Sequence, residues 1–365
     1  MRFRLLQMLL CVCVLLGFVA LLELSERSST YFDLTPYADT ETVRYRAGAT
    51  IRWGREGYGV THIGPHGMIA AKPLGDGPRV LFLGDSYTEA LQVDDAEKFT
   101  EACQSLYNQQ FPQQPSTTLN FAVSGQGAAQ HAADLPGLAR VYRPRIVVAQ
   151  LSVYDFWPAD AKRKIPTQPA FLTEQNGALA IGRKSFNAPA NWRQQLMRGR
   201  LFSTYARASW RLQNLLRPQA ESGSEAAPDA ATSTKDEAYF AEYRAITEFL
   251  LKQLAQTAQA SGAQLTVLYT PKTPLLQNGR IIRDEAEFGA QHTREREILF
   301  AACRELGLPV WNPTARLIKY YDETGQFPVG FANTQPGYGH LNPAGHRIVA
   351  ELLSENLRQL LTNGH

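Results

Sequence analysis

The stretch Arg79-Val80-Leu81-Phe82-Leu83-Gly84-Asp85-Ser86-Tyr87-Thr88-Glu89-Ala90 decides how the chain is read. A short apolar strand runs into Gly-Asp-Ser and then turns toward a helix. A serine is thereby delivered to the end of a strand, where ligands bind in open α/β sheets because backbone groups and loop side chains converge at the carboxyl edge. Two readings of the turn stand at this point. Asp85 and Ser86 cap it by bonding nearby amides, or Ser86 is a nucleophile.

Outward from this stretch, apolar strands alternate with amphipathic helices. The pattern predicts strands over residues 80–83, 118–123, 146–151, 264–269 and 309–311. Helices are expected over 96–111, 128–142, 237–260, 285–306, 314–321 and 343–361. The run Ile146-Val147-Val148-Ala149-Gln150-Leu151 is nearly unbroken in its apolar character, as a strand buried on both faces would be. Strand, helix, strand in repetition implies right-handed crossovers and a parallel sheet. The fold class expected is therefore α/β: a three-layer, flavodoxin-like sandwich with about five parallel strands.

Between 156 and 236 this regularity lapses. Several prolines, an Arg-rich portion over 193–211 and a tract rich in Ala, Ser, Glu and Pro over 218–234 mark an insertion. Residues 192–216 carry helical spacing, read either as a lid or membrane-facing flap, or as an ordinary solvated helix pair.

Ahead of the α/β region, Arg2 and Arg4 precede an almost wholly apolar run over residues 5–22. Its length suits a bilayer-crossing helix, and no small-x-small cleavage site follows cleanly. An N-terminal transmembrane helix over 1–24, as anchor or uncleaved signal, is the expectation. The two arginines would then stay on the cytoplasmic side of the inner membrane, with the bulk of the chain periplasmic or otherwise extracytoplasmic. Residues 25–78 read as a stalk and a lead-in to the domain at 79–365. Within them, 51–72 suggests short strands or a packed arm, with a substrate-contacting lip as the alternative.

With 365 residues, 44% hydrophobic and 19% charged, the chain has the composition of a folded protein with a sizeable core. A net charge of +3 is too small to argue for a nucleic-acid partner, which usually shows a concentrated basic face, and none is expected. Cys103 and Cys303 lie in predicted helices, and their spacing leaves buried thiols and a disulfide both open. There is no paired Cys/His spacing for zinc. His62 and His66 are separated by Gly64 and Pro65, which oppose a helix that would align them. Neither a metal nor another cofactor is expected.

Acyl chemistry needs a nucleophile, a base to take its proton, and donors aimed at the oxyanion. Ser86 follows the first strand and Gly125 the second, while the third ends at Ser152-Val153-Tyr154-Asp155. His340 stands before the last helix in Gly339-His340-Leu341-Asn342-Pro343-Ala344-Gly345-His346. Successive parallel strands deliver their carboxyl ends to one sheet edge, so these positions can converge. His346, on the opening face of that helix, is expected to pack or bond locally.

These blocks resemble the SGNH hydrolases, also called the GDSL esterase and lipase superfamily. Gly84-Asp85-Ser86 is similar to its first block, Asn120-Phe121-Ala122-Val123-Ser124-Gly125 to its second, and residues 340–346 to its last. The resemblance implies a serine esterase or O-acetyltransferase in which Ser86 attacks an ester and His340 is the base. The oxyanion would be held by the amides of Ser86 and Gly125. Two positions depart from the family pattern. The third block carries Tyr154-Asp155 in place of Asn-Asp, which makes the Tyr154 phenol the candidate third oxyanion donor. Before the histidine, Gly337-Tyr338-Gly339 replaces the usual orienting aspartate. A backbone carbonyl, Asp322 or Glu323 is the expected substitute.

The substrate class implied is an acylated, most plausibly acetylated, cell-envelope or exported polysaccharide. A lipid ester near the membrane and a catalytically degenerate module for glycan binding or assembly are the alternatives. Envelope or polysaccharide-assembly proteins are the expected partners.

Overall fold

The computed structural model describes residues 2–25, 34–162, 169–184, 236–271 and 273–362. The expected helical segment at 192–216 and the tract at 218–234 lie outside the described residues. The chain divides into two compact units, Met1–Asp33 with Asn187–Thr234, and Leu34–Phe186 with Lys235–His365.

In the second unit, five strands form one parallel sheet: β1 (Arg79–Leu83), β2 (Thr117–Asn120), β3 (Ile146–Leu151), β4 (Gln264–Tyr269) and β5 (Val310–Trp311). Their spatial order is β2-β1-β3-β4-β5, the flavodoxin-like order whose reversal between β1 and β3 opens a crevice at the carboxyl edge. Val80 lies opposite Ile146 and Leu83 opposite Ala149. The helices are α1 (Phe99–Gln110), α2 (Ala128–Tyr142), α3 (Glu237–Ala260), α4 (Ala290–Glu305), α5 (Thr314–Thr324) and α6 (Pro343–Thr362).

Because strand side chains alternate between faces, one sheet feeds two cores. Leu81, Leu83, Val147, Ala149 and Leu151 pack with α2, α3 and α4. Val80, Phe82, Ile146 and Val148 pack with α1 and α6. Every residue of β3 is buried, as its apolar run predicts, and the three-layer sandwich follows. Cys103 and Cys303 are both buried free thiols.

Regular structure also occurs where the sequence pattern was weak. Ala170–Gln175 and Ala178–Arg183 pair antiparallel, as do Leu275–Gln277 and Arg280–Ile282. Both hairpins turn on Asn-Gly, with Asn176 and Gly177 at φ 53° and 77° and Asn278 and Gly279 at φ 50° and 74°. Paired positive φ values are what a two-residue type I′ turn requires.

Residues 34–71 form an arm on this sandwich. The pairs Leu34–Tyr37 with Thr42–Tyr45 and Thr50–Arg52 with Val60–His62 are antiparallel hairpins. Ile69 bridges to Asn120 at the end of β2. The buried Arg44 guanidinium donates to Gln126 Oε1 and to Asp134 Oδ2, each at 2.6 Å, which clamps the arm to α2.

The N-terminal stretch is a 24-residue helix, Arg2–Ser25. Among the described residues no helix is long and apolar enough to cross a membrane. The span expected over 1–24 is not found among the described residues, where the feature present is a helix with Met8, Leu10, Val14, Leu15 and Phe18 exposed.

Candidate active site

Ser86 opens a four-residue helix, Ser86–Glu89, directly after β1. Asp85 caps it by accepting from the Tyr87 amide at 2.9 Å. Behind the turn, Gln150 of β3 accepts from the Asp85 amide at 3.0 Å and from Thr88 Oγ1 at 3.1 Å. Gln150 in turn donates to Thr270 Oγ1 at 2.6 Å. A polar side chain within an otherwise apolar strand thus fixes the serine turn across the β1–β3 crevice.

His340 Nε2 lies 2.7 Å from Ser86 Oγ. The Tyr87 ring, centred 4.8 Å from the imidazole, flanks it, and the Tyr87 hydroxyl donates to the Gly339 carbonyl at 3.2 Å. The two residues that sequence reading placed at the centre of the site are therefore in hydrogen-bond contact across 254 positions of sequence.

The carboxylate behind His340 is Glu56, which sequence reading missed. Its Oε2 is 2.5 Å from His340 Nδ1, and its Oε1 accepts from the His340 backbone amide at 2.7 Å. One carboxylate thus holds both the ring and the main chain of the same histidine. Nδ1 donating to Glu56 leaves Nε2 as the acceptor for the serine proton, the tautomer a general base needs.

Burial alone would push the Glu56 carboxyl up, but its hydrogen bonds and charge interaction with His340 outweigh this and hold it low. Burial likewise pulls His340 down, and the hydrogen bond and charge of Glu56, with smaller contributions from Asp85 and Glu89, raise it above its ordinary value.

Asp322 and Glu323 do not fill this role. Asp322 pairs with Arg283 at 3.0 Å and Glu323 with Lys319 at 3.7 Å, all on exposed surface. The expectation of a substitute acid from the loop before His340 is corrected, since the acid arrives from the arm.

Glu56 sits in the loop between Thr50–Arg52 and Val60–His62. Gly57 donates its amide to Asn333 Oδ1 at 2.8 Å, and Asn333 returns a bond to the Gly57 carbonyl at 3.2 Å. Gly339 explains the missing aspartate. It has φ 105°, and a Cβ there would stand 2.1 Å from Glu56 Oε1. The position next to the histidine is small because the carboxylate of another segment occupies the space. The sequence signal was available in Trp53-Gly54-Arg55-Glu56-Gly57-Tyr58-Gly59, an acid set among glycines and aromatic residues, but no pairing rule links it to position 340.

The second block runs past β2 alongside β1, with the Phe121 amide on the Phe82 carbonyl at 2.9 Å and the Val123 amide on the Gly84 carbonyl at 3.2 Å. Gly125 follows with φ 76°, the left-handed region that favours glycine. Among the described residues, no hydrogen bond takes the backbone N–H of Ser86 or of Gly125.

Tyr154 lies in the turn Val153–Phe156 after β3. Its ring meets Trp157 edge-on with centroids 4.5 Å apart and lies 6.1 Å from His292. Burial first, then Glu295 and Glu285, raise its phenol. Asp155 caps its own turn, accepting from the Ser152 amide at 2.6 Å and from Ser152 Oγ at 2.9 Å. Burial, with Asp85 next, pushes Asp155 up to about 7.

His346 packs locally as expected: it is buried, accepts from the Phe99 amide at 3.3 Å, and is pushed down to about 3 by burial. His62 pairs with Asp95 at 2.8 Å, whereas His66 pairs with Asp39 at 2.7 Å. No cluster among the described residues has the ligands to hold a metal ion.

A flavodoxin-like sandwich with a serine, a histidine and a carboxylate in series at its carboxyl edge is the arrangement that the resemblance of the motif blocks implies, with the carboxylate supplied from a different segment. No family model matches the chain, and no curated protein does. Among solved structures it is similar to the psychrotrophic esterase EstA from Pseudoalteromonas sp., at 12% identity and a TM-score of 0.41, covering 78% of this chain and 99% of that one. It is similar also to TesA, at 15% identity and a TM-score of 0.39, covering 77% and 99%. A third is Axe2, an acetylxylan esterase from Geobacillus stearothermophilus, at 14% identity and a TM-score of 0.41, covering 79% and 96%. At these levels the roles of residues rest on the site's own geometry.

Proposed function

We propose that the protein is a serine acyl-ester hydrolase that removes acyl groups, acetyl foremost, from an extracytoplasmic polysaccharide. The observation that carries this reading is the series Ser86 Oγ, His340 Nε2, His340 Nδ1, Glu56 Oε2, with contacts of 2.7 and 2.5 Å. In the proposed mechanism Ser86 Oγ attacks the ester carbonyl as its proton passes to His340 Nε2. Glu56 stabilises the imidazolium without taking the proton.

The tetrahedral oxyanion is assigned to the amides of Ser86 and Gly125. Tyr154 is the third donor in this proposal, supported by its place in the turn that follows β3. Collapse expels the sugar alkoxide, which takes the proton from His340 and leaves an acyl-Ser86. His340 then activates a water that releases the carboxylic acid and restores the serine. A sugar hydroxyl in place of that water would make the same site an O-acetyltransferase.

Glu56 also weighs against a degenerate module, since it fills the position that the motif comparison left empty. The extracytoplasmic setting is supported by Arg2 and Arg4 ahead of the apolar run and by the exposed apolar side chains of Arg2–Ser25. Attachment to a membrane through that helix and contact with polysaccharide-assembly proteins belong to the same proposal.

Turnover of a chromogenic acetyl ester, acetate release from acetylated polysaccharide and covalent labelling by a fluorophosphonate test the reading. All three are expected from the full chain and lost in Ser86→Ala. Labelling elsewhere than Ser86, or turnover that survives the substitution, contradicts it.

A further inference from the structure

Glu89 ends the short helix that Ser86 begins, and it is buried. It takes no hydrogen bond from His340 or Glu56. Its Oε1 accepts from the Tyr45 hydroxyl at 2.6 Å and from the Ser124 amide at 3.0 Å, and its Oε2 accepts from Ser124 Oγ. Two of these three bonds go to the residue that directly precedes Gly125.

We propose that Glu89 is a positioning residue that sets the Gly125 oxyanion donor against the Ser86 nucleophile. The inference rests on the assignment of Ser86 and Gly125 made above. The Gly125 N–H belongs to the peptide plane that begins at the Ser124 carbonyl, so its direction is fixed by the backbone dihedrals of Ser124. Holding the Ser124 amide and hydroxyl on one carboxylate removes the freedom of that residue. The carboxylate itself is carried on the nucleophile turn, so the two halves of the site move as one.

A second tie runs parallel to it. Asn120 Nδ2 donates to the Thr88 carbonyl at 2.7 Å, which joins the first residue of the second block, at the end of β2, to the same turn. Oxyanion donors act by being in place before charge develops, and a misplacement of about 1 Å costs about a hundredfold in rate.

A purely structural role would satisfy buried donors and affect stability alone. The Tyr45 bond separates the two roles, because it reaches the same carboxylate from the arm rather than from the second block. The test uses the full chain with a chromogenic acetyl ester and reads kcat, KM and the thermal midpoint of Ser124→Ala, Glu89→Gln, Tyr45→Phe and Ser86→Ala.

Expected values are a fall in kcat of about tenfold for Ser124→Ala and about a hundredfold for Glu89→Gln, each with KM within about twofold of the unsubstituted chain. Tyr45→Phe is expected to lower the midpoint as much as Ser124→Ala while keeping kcat within about twofold. An unchanged kcat in Ser124→Ala overturns the proposal, and so does an equal loss of kcat in Tyr45→Phe. Should Glu89→Gln fail to fold, Ser124→Ala and Tyr45→Phe decide by themselves. Turnover that persists in Ser86→Ala rejects the nucleophile assignment. A dead Ser86→Ala beside a fully active Ser124→Ala rejects only the positioning role.

Discussion

The parallel sheet and the arm at residues 34–71 reach the same site by different means. The sheet is built from repeating local patterns, in which alternating side chains feed two cores and each strand end presents a loop at one edge. The arm has only short hairpins, and it is held by individual polar contacts: Arg44 on Asp134, Tyr45 on Glu89, Gly57 on Asn333 and Glu56 on His340. In the proposed mechanism the sheet delivers the nucleophile and the second-block donor, while the arm delivers the acid. A catalytic series can thus be divided between a patterned framework and a segment with no framework of its own, provided buried charges fix the join.

The largest expected effect comes from closing the space at that join. Gly339→Ala puts a methyl group where Glu56 Oε1 lies, so the acid is displaced and turnover should fall about a thousandfold or more, the scale on which loss of a triad acid acts. Steady-state kinetics and a crystal structure of the variant check this together; full activity with Glu56 in place would dissolve the distinction between arm and sheet.

Arg44→Ala tests how firmly the arm is clamped. It leaves Asp134 buried without its ion pair, a change that costs about 3–5 kcal/mol, and denaturant unfolding should show the loss. Hydrogen exchange in this variant is expected to rise over 34–62 while β3 stays protected.

Tyr154→Phe, on the sheet side, removes a phenol donor and should lower kcat by about a hundredfold with little change in KM. Unchanged turnover would assign Tyr154 to packing against Trp157. Asp322→Asn, outside both regions of the site, should leave the pH profile unaltered within about twofold in rate.

What the sequence revealed follows the same division. The strands and helices of the sandwich were legible because hydrophobic periodicity is local, and β3 and α3 occur over the expected residues. Ser86 and His340 were legible because each sits in a motif at a strand or helix end. Glu56 was not, since its partner is 284 positions away and the contact depends on a hairpin whose placement is set by side chains.

The missing aspartate at 337–339 pointed to a vacancy and gave no direction for filling it. The two Asn-Gly hairpins carried a local signal in the residues themselves, masked by the irregular sequence around them. The membrane-spanning reading of residues 5–22 rested on the length of the apolar run and its flanking arginines, which do not report how a helix is placed.

The central claim is that Glu56, carried on the arm, completes the serine–histidine pair, and the pH dependence of kcat/KM for the unsubstituted chain and for Glu56→Gln tests it most directly. His340 must be neutral to accept the serine proton, so activity falls on the acid side as the ring is protonated. The Glu56 charge raises His340 above its ordinary value of 6.5, which sets that acid limb above 6.5. In Glu56→Gln the stabilising charge is gone and burial pulls the imidazole down. The limb should move to lower pH while the plateau falls by two to four powers of ten, on the order of a lost triad acid. A Glu56→Gln profile that keeps both the limb and the plateau of the unsubstituted chain would contradict the account.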